Sequence, residues 1–446
     1  MRVQSAASAS RALRRPWPRW AHRNGEGRTR PHRRVATALL AVILAATGAL
    51  PLILAGAVAA PAAASSAPIT IAFVTDLTGA GAAENSTAPA GFKARVALQN
   101  ANGGVNGHQI VPLVIDDNTS PSLVVTAVQD AISKGAFGIV SESPVFFLAA
   151  KYPQQQGIPV TGAYNDGPEW GQQPYTNMFA SDLGSVDPKY PVNTLIGNFL
   201  KQHGGTVLGA YGYGISPSSS RAAAGVARAF QHAGGKVGVL DTTVSFGGVD
   251  FTTAALVARQ NKVNAVTPNM DNNSNFALAT ALKQAGVHLN SVVYATGYEP
   301  DAINSPAWND LQGGYFLSFF RPFSLPNAGT VQMAAALQKY AGFSKSQFPT
   351  YSQYESWVGA DLMIKGMQLA GKNPTRATVI KDLRGLKSYN ANGLLPTTIN
   401  YSTIFGHDPA ETCAWFMQAQ KAGFVATSSQ PYCGRDLPGT STAGSS

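Results

Sequence analysis

The sequence predicts an α/β protein made of two lobes, each with a parallel central sheet. Three observations point there. From Ile69 onward, short apolar runs rich in β-branched residues alternate with stretches of helical periodicity, the pattern of strands joined by crossover helices. That rhythm runs for four units, breaks near Asp182–Pro191 and then runs for four more. The chain has 446 residues, 45% hydrophobic and only 13% charged, so it is long and apolar enough to bury more than one core.

In chain order, ITIAFVT (69–75) is the first strand and a helix follows from Pro89 to Gln99. QIVPLVID (109–116) is the second strand. Ser120-Pro121 reads as an N-cap followed by an N1 proline, with Val124, Val128 and Ile132 on one helical face. FGIVS (137–141) and IPVTG (158–162) are buried strands separated by a helix through Leu148 to Gln156. After the break, TVLGAYG (206–212), KVGVLDTTV (236–244), NAVTPNM (264–270) and SVVYATG (291–297) are strands. Helices at Arg221–His232, Thr252–Asn261 and Asn275–Gly286 separate them. GGYFLSFF (313–320) is a further strand, ahead of helices at Val331–Ala341, Tyr354–Ala370 and Thr375–Leu386. CAWFMQAQKAGFVAT then reads as a hairpin turning at Lys421-Ala422-Gly423.

The formal charge of +10 ordinarily suggests a nucleic acid or an anionic membrane as partner. Its distribution removes that reading, because residues 1–34 hold ten arginines and one acid, Glu26. The remainder has 23 basic and 22 acidic residues, so no nucleic-acid role is expected. Val35–Ala64 follows as an apolar run ending in AVAAPAAA, and no charge occurs from Val35 to Thr75. A basic segment, an apolar segment and small residues describe a secretory signal over residues 1–67. Arg33-Arg34 leaves both Sec and twin-arginine export open, and retention as a membrane anchor is the alternative to cleavage. No cysteine for lipid attachment lies near the cleavage region. The two cysteines, Cys413 and Cys433, form an even pair in an exported chain, which predicts a disulfide.

No catalytic or cofactor signature stands out. GAGAAEN (79–85) follows the first strand but lacks the third glycine of a dinucleotide loop. GxxxxGK[ST], HExxH and GxSxG are absent. His108, His203, His232, His288 and His407 are scattered, and three of them sit near helix C-termini, where a histidine complements the dipole. No metal site, no cofactor and no enzymatic activity are expected. Ligands of open parallel sheets bind beyond the carboxyl ends of the strands. There the sequence offers hydroxyls, amides, aromatics and a few carboxylates, a lining for binding rather than turnover.

The stretch NANGGVNGHQIVPLVIDDNTSP (100–121) places a helix end, a GGxxG turn, a strand and an Asp-rich loop in succession. With ITIAFVTDLTG, QQQGIPVTG, VDFTTAALVARQNKVNAV and ALKQAG before SVVYATG, it resembles the branched-chain amino-acid (Leu/Ile/Val) binding proteins of ABC importers, over about residues 68–425. The resemblance implies the type I periplasmic binding protein fold, two Rossmann-like lobes joined by a multi-strand hinge. Lobe 1 would span 68–183 and lobe 2 184–322. Residues 323–395 would return to lobe 1, 396–433 would close lobe 2 with the disulfide hairpin, and 434–446 would be a flexible tail. The crossings would fall near Ser181–Pro191, Arg321–Asn327 and Gly393–Thr398. By residue type, the glycines of the opening stretch serve a turn needing positive φ, and Asp116-Asp117 open a loop rather than hold a metal.

The resemblance also implies ligand-binding positions. Ser143, with Pro144, would hydrogen-bond a ligand carboxylate, aided by the N-terminus of the adjoining helix. Tyr164, Asn165 and Asp166 would form the loop after the fourth strand, and Glu84 falls where the family places an aromatic. Tyr213, Asp271, Asn272 and Tyr298 would line the second lobe, and Tyr351 completes the set. Glu84, Asp166, Asp271 and Glu299 are the candidates for a ligand amine. The expected function is an extracytoplasmic solute-binding protein, acting as a monomer. It would capture a small polar, amino-acid-like ligand between closing lobes and be read by an ABC permease. The alternatives are a ligand-sensing domain for a membrane signalling partner and an exported hydrolase.

Overall fold

The computed structural model describes residues 66–163, 167–183, 191–406 and 411–438. Lobe 1 is built on five strands, β1 (Ser66–Thr75), β2 (His108–Asp116), β3 (Gly138–Glu142), β4 (Val160–Gly162) and β5 (Met178–Ala180). They lie in the order β2-β1-β3-β4-β5, every neighbouring pair parallel. Side chains alternate between two buried faces, which is why these strands read as continuous apolar runs. Phe73, Val140 and Phe179 face one core, packed by the helices Pro89–Ala101 and Tyr351–Leu369. Ala72, Val74, Ile139 and Val160 face the other, against the helix Val124–Ser133. The helix Tyr351–Leu369 is buried on nearly every side, as a helix clamped between a sheet and other helices must be. A capping box of Thr350 and Gln353 starts it.

The second sheet takes the next strands. After the short β6 (Val192–Asn193) come β7 (Val207–Tyr213), β8 (Lys236–Val244), β9 (Ala265–Asn269), β10 (Ser291–Tyr294) and β11 (Tyr315–Ser318). β12 (Cys413–Gln420), β13 (Gly423–Ala426) and β14 (Tyr432–Cys433) complete it. The order is β13-β12-β11-β10-β9-β7-β8, with β14 on β12. β7 to β11 are parallel, and β12 returns antiparallel to β11. Leu208, Ala210, Val293, Leu317 and Phe416 pack on the helices Leu195–Gln202 and Pro217–His232. Tyr211, Val266, Tyr294 and Phe316 face the helices Thr252–Gln260 and Asn272–Gln284. The expected mixed α/β fold with parallel sheets is what the chain adopts.

The opening stretch is architecture. The helix ends at Ala101, and Gly103, Gly104, Asn106 and Gly107 all take positive φ before β2. A Cβ on Gly104 would stand 2.1 Å from the His108 carbonyl oxygen, so only glycine fits that turn. Asp116 accepts hydrogen bonds from the Leu77, Thr78 and Asn118 amides and the Thr78 hydroxyl, tying the first two strand-end loops together. Burial pushes its carboxyl up, but these hydrogen bonds outweigh it and hold the group below its usual range.

Three details differ from expectation. Ser120 and Pro121 do not open the third helix. They form a turn, the helix starts at Val124, and the Ser120 hydroxyl pairs with Ser122 instead. Residues after 396 do not leave lobe 1 at once, because Ile399 and Tyr401 lie in its core and Ile404 packs against it. Residues 434–438 are not a free tail, since β15 (Asp436–Leu437) pairs with β6 and Leu437 is buried; residues 439–446 lie outside the described residues. Sequence reading also missed the helix Leu195–Gln202, whose apolar face is short. The disulfide joins Cys413 to Cys433, 20 residues apart and directly opposed on β12 and β14. The expected signal segment lies, up to residue 65, outside the described residues, and no helix among the described residues is long and apolar enough to cross a membrane.

Candidate functional site

The carboxyl ends of the lobe 1 strands gather polar residues into one row. Thr75 and Glu142 are direct partners across β1 and β3. The ladder continues beyond the last paired residues, because Ala163 N–H donates to the Ser141 carbonyl and Ser181 N–H to the Gly162 carbonyl. Partnered residues of parallel strands point to the same face. Thr75, Glu142, Ala163 and Ser181 therefore form a row one step beyond Phe73, Val140, Thr161 and Phe179. That face looks toward the helix Tyr351–Leu369, as the Thr161 hydroxyl shows by donating to the Gly359 carbonyl at 2.7 Å. Gly162, at φ +147°, permits the close approach of β4 to β3. A Cβ there would lie 1.9 Å from the Ser141 oxygen.

Glu142, Thr75 and Ser181 are each 0% exposed. Both Glu142 carboxyl oxygens, Thr75 Oγ1 and Ser181 Oγ have no hydrogen-bond partner among the described residues. Burial pushes the Glu142 carboxyl well above the usual range, and the charges that add to this belong to Glu355, Asp76, Glu84 and Asp182. Asp76, just past β1, is pushed up to about 7 by burial, against a hydrogen bond from Asn85 Nδ2 at 2.8 Å. Burial also raises Asp182 to about 7. Tyr351, the first residue of the long helix, stands in the same acidic environment of Glu355, Asp182, Glu84 and Glu142.

The expected lobe 1 residues fall around this row. Glu84 is buried in the turn Ala82–Asn85, which touches both the long helix and the lobe 2 helix Asn272–Gln284. Ser143 and Pro144 are buried directly after Glu142. The Ser143 hydroxyl is engaged inside lobe 1, where it accepts the Val145 N–H at 3.3 Å. The helix expected after it is a single 3-10 turn, Phe146–Leu148. Tyr164, Asn165 and Asp166 lie outside the described residues.

In lobe 2 the expected residues bind one another. Asp271 caps the helix Asn272–Gln284 by accepting the Ser274 N–H at 3.0 Å, a stabilising N-cap. The Tyr213 hydroxyl donates to the same Asp271 carboxylate and lies 2.7 Å from Ser274 Oγ, which donates to the Gly248 carbonyl. Asn272 Nδ2 donates to Glu299 at 2.6 Å. Burial pushes Glu299 up to about 7 and this hydrogen bond pulls it back. Tyr298 is no open wall. It stacks on Phe348 at 5.1 Å and meets Phe424 edge-on.

Sequence reading missed Thr75, Glu142, Ser181, Asp182 and Glu355. The available signal was a lone carboxylate ending the apolar run GIVSE, since an acid at that position of a buried strand requires a reason. Among the described residues no three His, Cys, Asp or Glu side chains converge to hold a metal ion. A cavity of about 350 Å³ lies on lobe 2 between β8 and the helix Thr252–Gln260, lined by Tyr211, Val244, Phe251 and Val257 among others. It includes no residue of the row. We take the strand-end row as the candidate site because it sits where open parallel sheets bind ligands.

This fold and site define a class, the two-lobed binding protein with its polar residues at the strand ends. A family model described as periplasmic binding protein matches residues 68–424, and the chain belongs to that family. Solved structures agree in fold. A branched-chain amino acid ABC transporter protein from Thermus thermophilus with bound valine is 15% identical, covers 83% of this chain and 97% of its own, and superposes with a TM-score of 0.68. A solute-binding protein of an ABC transporter from R. palustris in complex with benzoate is 14% identical over 84% and 99%, also at 0.68. A fatty acid ABC transporter substrate-binding protein from Thermomonospora curvata is 17% identical over 83% and 93%, at 0.66. No curated protein matches the chain by sequence. The protein is thus a periplasmic binding protein: as a member of that family it works outside the cytoplasm, binds a small molecule and is not an enzyme.

Proposed function

We propose that this protein captures a small polar, amino-acid-like solute between its two lobes and delivers it, as a monomer, to an ABC permease. Export by the N-terminal signal segment would bring it to the permease's outer face. The observation that carries this reading is the concentration of buried, partly unpaired polar groups at the carboxyl ends of the lobe 1 strands. Such groups cost stability unless something pairs with them. The relatives' ligands, valine, benzoate and fatty acid by their descriptions, share an apolar body with one carboxylate, and valine adds an amine. A thermal-shift screen tests the reading with amino acids, their amides and small carboxylates. A ligand should raise the melting temperature in a saturable way, following RT ln(1 + [L]/Kd). A flat response across the whole panel would reject it.

A further inference from the structure

We infer that the lobe 2 cavity between β8 and the helix Thr252–Gln260 is a second ligand site, fitted to a small primary amine with an apolar body. It shares no residue with the strand-end row, so it goes beyond the proposed capture between the lobes and does not depend on it. The cavity has a local cause in the sequence. Tyr211 and Asp241 are direct partners across β7 and β8, and Gly209 and Val239 are partners on the same face. Because Gly209 has no side chain, the Tyr211 ring lies back along its own strand: a Cβ on Gly209 would stand 3.2 Å from Tyr211 Cε2. The space beneath the helix is left open. A register shift between Tyr211 and Tyr213 then gives β8 an extra residue, so Val244 rather than Thr243 joins Val239 and Asp241 on that face.

The lining selects the ligand. Val239, Val244, Phe251 and Val257 supply apolar walls, and Asp241 and Asp250 carry charge. Among the described residues no lysine, arginine or histidine lines the cavity. Asp241 uses only Oδ1 in the fold, accepting the Thr243 N–H and hydroxyl, both at 2.9 Å, which leaves Oδ2 for another donor. Asp250 stands exposed at the rim and accepts the Thr252 N–H at 3.1 Å. Both carboxylates draw a cation and repel an anion. An ammonium donates and accepts nothing, which matches the open oxygen of Asp241. A volume of about 350 Å³ lies at the small end of ligand pockets, the size for a ring or a branched chain rather than a peptide.

Titration calorimetry on the full chain tests this with phenethylamine, its neutral analogue phenethyl alcohol and the anion phenylacetate. Phenethylamine should bind about tenfold more tightly than the alcohol, the scale of one charge-assisted hydrogen bond, and phenylacetate more weakly than either. Asp241→Asn should remove that advantage while leaving the alcohol within about twofold of wild type. Val257→Lys should weaken amine and alcohol by about tenfold, because it sets a charge in the apolar wall. Val257 is 38% exposed, so this second variant guards against a folding artefact. In hydrogen exchange, phenethylamine should protect the amides of residues 239–257 in the wild type and less in either variant. Phenethylamine binding that neither variant weakens would put the amine between the lobes, overturning this site while supporting the solute-binding reading. Phenylacetate binding as tightly as the amine, or no binding by any probe, would overturn the site alone, since the thermal-shift panel decides the solute-binding reading separately.

Discussion

In lobe 2, the polar groups beyond the strand ends complete one another: Asp271 caps a helix, Tyr213 holds Asp271, Ser274 reaches Gly248, and Asn272 holds Glu299. In lobe 1, the same position in the fold leaves Glu142, Thr75 and Ser181 buried and without partners among the described residues, and burial pushes Asp76 and Asp182 up to about 7. The two sheets obey the same folding rules yet finish differently. One end is optimised for stability and the other carries a standing cost, which is where a binding surface is expected.

Substitutions can break or sharpen that contrast. The largest effect should come from lobe 2's staple. Replacing Cys413 and Cys433 by serine opens a loop closed across 20 residues and should cost about 3 kcal/mol, read by denaturant unfolding. Asp271→Ala removes a helix cap and one hydrogen-bond partner of the Tyr213 hydroxyl, so a loss of about 2 kcal/mol is expected. Glu142→Gln should act in the opposite direction. It removes a buried acid from acidic neighbours, and should stabilise the unliganded protein by on the order of 1 kcal/mol at pH 8. If it destabilises the protein as Asp271→Ala does, the contrast between the lobes fails. Asp116→Asn, in the exposed loop staple, should cost less than about 1 kcal/mol.

The pH dependence sharpens the same point. Asp76 and Asp182 are pushed up to about 7 in the fold, above the value of about 4 for an unfolded carboxylate. Between these values the folded state binds more protons, so their contribution is full below about pH 4 and is lost as the pH rises through about 7. Glu142, raised by burial among Glu355, Asp76, Glu84 and Asp182, acts in the same sense. The melting temperature of wild type relative to Glu142→Gln should therefore fall from pH 5 to pH 8. A difference independent of pH would mean that Glu142 is not held protonated.

Most of the scaffold was legible because buried parallel strands are apolar runs bounded by glycine and polar loops. ITIAFVT and KVGVLDTTV were found nearly to the residue. So was the turn of NGGVNG, where positive φ demands small residues. The unpaired row was not legible. Thr75, Glu142 and Ser181 are neighbours only through register, and register is fixed by how whole strands align, not by local pattern. Ser143 illustrates the converse. Its place after β3 was read correctly, but only the folded chain shows the Val145 N–H engaging its hydroxyl.

The stack of Tyr298 on Phe348 has a mechanical consequence. Phe348 lies in the segment between two lobe 1 helices, yet its ring packs with the lobe 2 aromatics Tyr298 and Phe424. A ring seated in the other lobe works like the ball of a joint. Rotation about it preserves the buried area, whereas translation away from it exposes aromatic surface to water. Parting of the lobes is therefore cheaper as a swing pivoting on that seat than as a straight separation, and the row by Glu142 would open along an arc.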